Sequence, residues 1–242
     1  MQFRDLKKQY EVLKDEINQA MESVIHNTTF ISGPQVEELE TRLASYVGRK
    51  HCITCGNGTD ALSMVLMAWD IKSGDAVFVP DFTFFATGEV ASFEGATPIF
   101  VDVKEDTFNM DPEKLEEAIQ TVLDEGKLTP KLIIPVDLFG LPSEYGRIQQ
   151  IAKKYGIKIL EDGAQGFGGM CSSKRVCSFG DASTTSFFPA KPLGCYGDGG
   201  AIFTDSDEMA AYLESIRVHG KGSYKYENRS EERRVGKECI NW

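Results

Sequence analysis

Residues 131–165 read KLIIPVDLFGLPSEYGRIQQIAKKYGIKILEDGAQ, and within them the hydrophobic period changes twice. The apolar run Lys131–Asp137 has the length and composition of a buried strand. Ser143 then reads as an N-cap opening a helix that turns Ile148 and Ile151 inward and stops at Gly156. A second short apolar run, Lys158–Glu161, follows at once. A strand, a helix and another strand in close succession predict parallel neighbours in one sheet.

The same alternation extends in both directions. Further strands are expected at His51–Cys55, Ala76–Pro80, Thr97–Val103, Ser183–Phe188 and Ala201–Thr204, which makes seven with the two above. A helix over Gln35–Tyr46 aligns Val36, Leu39, Leu43 and Val47 on one stripe before Gly48. Another runs over Thr59–Trp69. Asp111 and Pro112 supply an N-cap and a first-turn proline for a helix with Leu115, Ile119 and Leu123 inward. One more is expected near Lys7–Ile25. The sum is an α/β domain built on a largely parallel seven-stranded sheet.

Composition narrows the function. A chain of 242 residues with a net charge of −11 lacks the clustered Lys and Arg that nucleic-acid phosphates demand. No run approaches the roughly 20 apolar residues of a membrane span, and the first residues lack a signal-peptide core. Six scattered cysteines make no disulfide framework, so a reducing cytoplasm is expected. Cys52-x-x-Cys55 invites a zinc or redox reading, but no second ligand pair follows and the setting, HCITCGNG, alternates like a strand entering a turn. No metal site is expected.

Three stretches carry chemistry. In Asn57-Gly58-Thr59-Asp60-Ala61-Leu62 a glycine turn enters a helix, so the backbone can approach an anion and free amides point at it; such a turn is more often only a tight connection. In Glu161-Asp162-Gly163-Ala164-Gln165, Asp162 closes a strand, where open α/β sheets collect ligands. A carboxylate there can hold a heterocyclic nitrogen protonated, although capping the next helix is the plainer role. In SFFPAKPLG, residues 186–194, a strand delivers Lys191 into a turn between two prolines. A fixed lysine amine in an apolar setting can form a Schiff base.

Together, NGTDAL, EDGAQ and SFFPAKPLG, with FISGPQVEELE at 30–40 and DFTFFAT at 81–87, resemble the DegT/StrS family of sugar aminotransferases dependent on pyridoxal 5'-phosphate (PLP). The resemblance covers residues 1–228. It implies the three-layer large domain of PLP-transferase fold type I. Lys191 then matches the lysine that carries PLP, Asp162 the carboxylate paired with the pyridine nitrogen, and Gln165 the residue near the ring oxygen. Ser186, Gly58 and Thr59 match the phosphate cradle, and Phe84 the ring stacked on the pyridine. His219 matches a position near the site, or merely closes a helix.

The implied reaction is a two-stage transfer of an amino group, from glutamate in most of the family, to a nucleotide-linked keto sugar. SFFPAKPLGCYGDGGAIFT is most similar to members that aminate a UDP-linked 3-oxo sugar acid, the UDP-2-acetamido-2-deoxy-3-oxo-glucuronate type, for surface polysaccharide; others aminate 4-keto-6-deoxy sugars. A homodimer in the cytoplasm is implied, with neither nucleic acid nor membrane as partner. Three rivals stand beside this reading. Sugar dehydratases of the family carry histidine where this chain has Lys191. A non-catalytic regulatory relative has no need of that lysine. A nucleotide-binding domain without PLP leaves Lys191 and Asp162 idle.

The C-terminal residues read differently. RSEERRVGKEC, residues 229–239, matches one frame of a common sequencing-library adapter throughout. Residues 1–228 are therefore expected to be an N-terminal arm and the PLP-binding large domain, and 229–242 a non-native tail. On that reading the family's small C-terminal domain is missing and the chain as written is inactive.

Overall fold

The computed structural model describes residues 5–220. The adapter-like tail lies outside the described residues. Helix α1 (Leu6–Asn27) is capped by Asp5, whose carboxylate accepts from the Lys8 amide at 2.9 Å, and buries none of its side chains. Helix α2 (Pro34–Val47) follows and ends at Gly48 in the left-handed region. The core domain then alternates: β1 (His51–Cys55), α3 (Gly58–Ala68), β2 (Asp75–Pro80), α4 (Phe85–Phe93), β3 (Thr97–Val101), α5 (Pro112–Glu125), β4 (Thr129–Ile133), α6 (Tyr145–Tyr155) and β5 (Lys158–Asp162). A hairpin of β6 (Met170–Cys171) and β7 (Lys174–Arg175) leads to β8 (Ala182–Ser186), β9 (Gly200–Thr204) and α7 (Asp207–Arg217).

Seven strands form one sheet in the order β1-β9-β8-β5-β4-β2-β3. The pairs from β3 through β8 are parallel, and β9 runs antiparallel to both β8 and β1. The sheet is covered on both faces, as a mostly parallel sheet requires. Along β2, Val77 and Val79 face a core shared with Leu62 and Val65 of α3 and Val90 of α4. Ala76 and Phe78 face the other way, onto Leu115 and Ile119 of α5 and Ile148 of α6. Strand period 2 thus splits the apolar residues between two helical layers.

Several boundaries depart from the sequence expectation, each for a local reason. Strand β4 begins at Thr129, before Pro130, and the β2–β4 register shifts between Ala76 and Val77. It stops at Ile133 because Pro135 has no N–H for the ladder, and Val136 meets Asp162 only through an isolated bridge. Strand β3 ends at Val101, with Val103 bridged to Met110. Ser143 does not cap α6: its amide donates to Asp137 Oδ1 at 2.9 Å, its hydroxyl donates to the Val136 carbonyl, and Glu144 takes the cap position. Leu39 and Leu123 are exposed rather than inward; Val122 takes the buried place beside Ile119.

Candidate active site

The sheet register creates the site. Gly200 at the start of β9 pairs with Cys55, the last residue of β1, and with Ser186, the last of β8. The carboxyl ends of β1 and β8 therefore flank one point, and only glycine fits there. A Cβ on Gly200 would lie 2.5 Å from the Asn57 carbonyl oxygen. The chain leaving β1 turns at Asn57, whose side chain accepts from the Asp60 amide at 2.8 Å and caps α3. Gly58 and Thr59 open that helix, so their amides belong to the group that has no partner within it. Gly58 is pressed against β8: a Cβ there would sit 2.8 Å from Ser186 Cβ.

Asp162 ends β5, next to β8 in the sheet. Its side chain is 6% exposed. One carboxylate oxygen accepts from the Ala164 amide and the other from the Thr87 hydroxyl, each at 3.1 Å. Burial pushes this carboxyl above its ordinary value, while the Ala164 amide, the Thr87 hydroxyl and the charge of Lys191 pull it back. Gln165, one turn on, accepts the Phe139 amide on Oε1 at 3.0 Å, which leaves its NH2 group as the donor for a ligand. After β8 the chain hooks over. The Phe188 amide donates to Ser186 Oγ at 3.2 Å and the Lys191 amide to the Phe188 carbonyl at 2.8 Å, which sets Lys191 in its turn.

These pieces line one cleft of about 950 Å³. Gly58, Thr59, Phe84, Asp162, Gln165, Ser186 and Lys191 all contribute to its wall. Phe84, at the start of α4, is 67% exposed and free to present a ring face. His219 is placed elsewhere: it sits exposed in the turn after α7, at φ 65°, and does not line the cleft.

Sequence reasoning missed other wall residues, among them Thr83, Thr185, Phe139 and Asp198, and also Thr87 behind Asp162. Thr83 and Thr87 lie inside DFTFFAT, but the stretch offers no residue-level signal for either. The helix that carries Thr87, α4, also lacked one. Cys52 and Cys55 fall on opposite faces of the sheet, Cys52 against α2 and β9 and Cys55 toward α3. Burial raises both thiols, Cys55 to about 12, so both are uncharged at neutral pH. Among the described residues no group of three His, Cys, Asp or Glu is arranged to hold a metal, and no described helix is long and apolar enough to cross a membrane.

The cleft suits PLP on its own chemistry. A helix start that a Cβ would close matches a phosphate. A buried carboxylate with a raised proton affinity calls for a cationic partner such as a protonated ring nitrogen. An exposed aromatic ring and a turn-held lysine stand on the same cleft wall.

Comparison with known proteins agrees. The pattern of the DegT/DnrJ/EryC1/StrS aminotransferase family matches residues 11–239, a range that includes the adapter-like stretch. UDP-2-acetamido-2-deoxy-3-oxo-D-glucuronate aminotransferase from Pseudomonas aeruginosa is 48% identical over 223 residues, 91% of this chain and 60% of that protein. The crystal structure of a DegT DnrJ EryC1 StrS aminotransferase from Brucella abortus superposes with a TM-score of 0.93 at 51% identity, covering 94% of this chain and 61% of that one. NtdA from Bacillus subtilis, solved with bound cofactor PMP, gives a TM-score of 0.84 at 33% identity over 96% of this chain and 51% of that one. This chain spans about 60% of the length of the curated relatives it matches.

Proposed function

We propose, from the premise that the chain belongs to the DegT/DnrJ/EryC1/StrS aminotransferase family, that it supplies the PLP site of an enzyme aminating a nucleotide-linked keto sugar. The observation that carries this is the meeting of Lys191, Asp162 and the Gly58–Ser186 approach in one cleft. When bound, PLP supplies a carbonyl that takes up an amino group and a ring that spreads negative charge.

The residues divide the work. The amides of Gly58 and Thr59 and the hydroxyl of Ser186 would hold the phosphate at the N-terminus of α3. Asp162 holds a proton at the ring nitrogen, and burial keeps water from competing for it. The Gln165 NH2 group, oriented by the Phe139 amide, donates to the ring oxygen. Phe84, on the cleft wall, would stack on the ring. Lys191 would be the residue that attaches the cofactor, and its amine would be placed to move a proton in the reaction.

Lys191 also favours amino transfer over its rivals, because a dehydratase of the family has histidine there and a regulatory relative has no need of the amine. The substrate we propose is a UDP-linked 3-oxo sugar acid with glutamate as donor, supported by the name of the 48% identical relative. Our reading includes a cytoplasmic homodimer. The exposed rings of Phe82, Phe108 and Phe139, which pack on one another with centroids 5.5–6.5 Å apart, support a partner covering them.

The test is made on the protein expressed from its source gene. Glutamate and a panel of UDP- and dTDP-linked keto sugars are supplied, and exchange of carbonyl for amine is read by mass. Amination of the UDP-linked 3-oxo sugar acid ahead of the others is expected. No aminated product from any member of the panel overturns the reading.

A further inference from the structure

We propose that Thr87 is a positioning residue that keeps the shared proton on the cofactor's ring nitrogen rather than on Asp162. This rests on the PLP reading above and deepens it.

Thr87 is fully buried on α4, and its hydroxyl donates to Asp162 Oδ2 at 3.1 Å. A threonine hydroxyl has one proton to give. Because an ionised carboxylate only accepts, that proton is committed to Asp162. The Thr83 hydroxyl, 3.1 Å from Thr87 Oγ1, must then be the donor of the second contact. The two threonines form a one-way chain, Thr83 to Thr87 to Asp162, in which each link strengthens the next.

The consequence concerns where a proton rests. Asp162 and a pyridine nitrogen facing it compete for one proton, and the weaker base loses. Burial works in favour of Asp162 by raising its proton affinity. The other influences on the carboxylate are the Ala164 amide, fixed in the backbone, and the charge of Lys191 from the turn after β8. Lys191 changes its bonding during the reaction, so its help is not constant. The Thr87 hydroxyl is the side-chain donor that stays. A hydrogen bond to a charged group shifts such an equilibrium by about tenfold to a hundredfold.

The test compares the chain with Thr87→Val, Thr87→Ser and Thr83→Val by two readouts. The first is the carboxyl carbon resonance of Asp162 in the cofactor-free chain, assigned with Asp162→Asn and titrated with acid. The second is the nitrogen resonance of ring-labelled PLP in the loaded chain. Thr87→Val is expected to move the Asp162 midpoint upward and the ring nitrogen toward its unprotonated position, by about tenfold or more in the proton equilibrium. Thr87→Ser is expected to match the parent, and Thr83→Val to move both readings the same way by less. An unmoved Asp162 midpoint in folded Thr87→Val overturns the proposal; if that variant does not fold, an unmoved midpoint in Thr83→Val does so. Failure to take up PLP at Lys191 counts against the proposed function instead, because the cofactor-free titration stands apart from it.

Discussion

Replacing Gly58 by alanine tests the phosphate cradle by a measured overlap. The new Cβ would stand 2.8 Å from Ser186 Cβ and 3.3 Å from its Oγ, where ordinary contact starts at 3.4 Å. Ser186 Cβ is fixed to the β8 backbone, so the start of α3 must withdraw by about 0.6 Å. Overpacking of this kind costs about 1–3 kcal/mol of stability. The same withdrawal carries the Gly58 and Thr59 amides away from the phosphate. Losing one charge-assisted bond of about 1.5–3 kcal/mol raises the Kd for PLP about tenfold or more. Gly48→Ala is the control: it lies at φ 80° with nothing within 4 Å of its added Cβ. Its strain costs about 1 kcal/mol without touching the cleft. Denaturant midpoints and PLP titration are read on both variants. Gly58→Ala that loses stability yet binds PLP within twofold of the parent would show that the cradle is misplaced.

Two further outcomes follow from the same geometry. Asp137 and Glu161 are buried carboxyls facing each other, and burial together with the charge of Glu161 raises Asp137 well above the ordinary range. The folded chain therefore binds a proton there that the unfolded chain releases, so stability falls as pH rises above the ordinary carboxylate range. Asp137→Asn keeps an acceptor for Ser143 and Tyr145, removes that proton uptake, and is expected to flatten the decline in urea midpoints between mildly acidic and mildly alkaline pH; an unchanged slope counts against the shared proton. Phe84→Ala removes a ring that is already 67% exposed, so the melting temperature should hold while PLP affinity drops about threefold to tenfold. Equal affinity means the ring does not stack on the cofactor.

Much of this was legible in the sequence, for identifiable reasons. The strands are short apolar runs bounded by turns, and each of the seven expected runs contains or overlaps a strand of the main sheet. Their order was not legible, since β1 pairs with β9 across about 150 residues. Helix α4 was missed because Ala86, Thr87, Gly88, Val90 and Ala91 are all buried, and a helix without a polar face shows no period. Ser143 looked like a cap because its type fits one, but its hydroxyl turns back to the Val136 carbonyl while Asp137 takes its amide. Prolines, a strand end and a glycine turn singled out Lys191, Asp162 and Gly58, which the fold brings to one cleft, while the roles expected of them came from the family resemblance. Thr87 carries no such mark, and its importance depends on a partner 75 residues away.

The central claim is that Lys191 carries PLP, and its most direct test is chemical. The chain is mixed with PLP, reduced with borohydride, and digested, and the labelled lysine is located by peptide mass, with Lys191→Ala alongside. Label at Lys191 in the parent and none at a matching level in the variant is the predicted result. Label spread over surface lysines in the folded parent, at the same level in the variant, would contradict it.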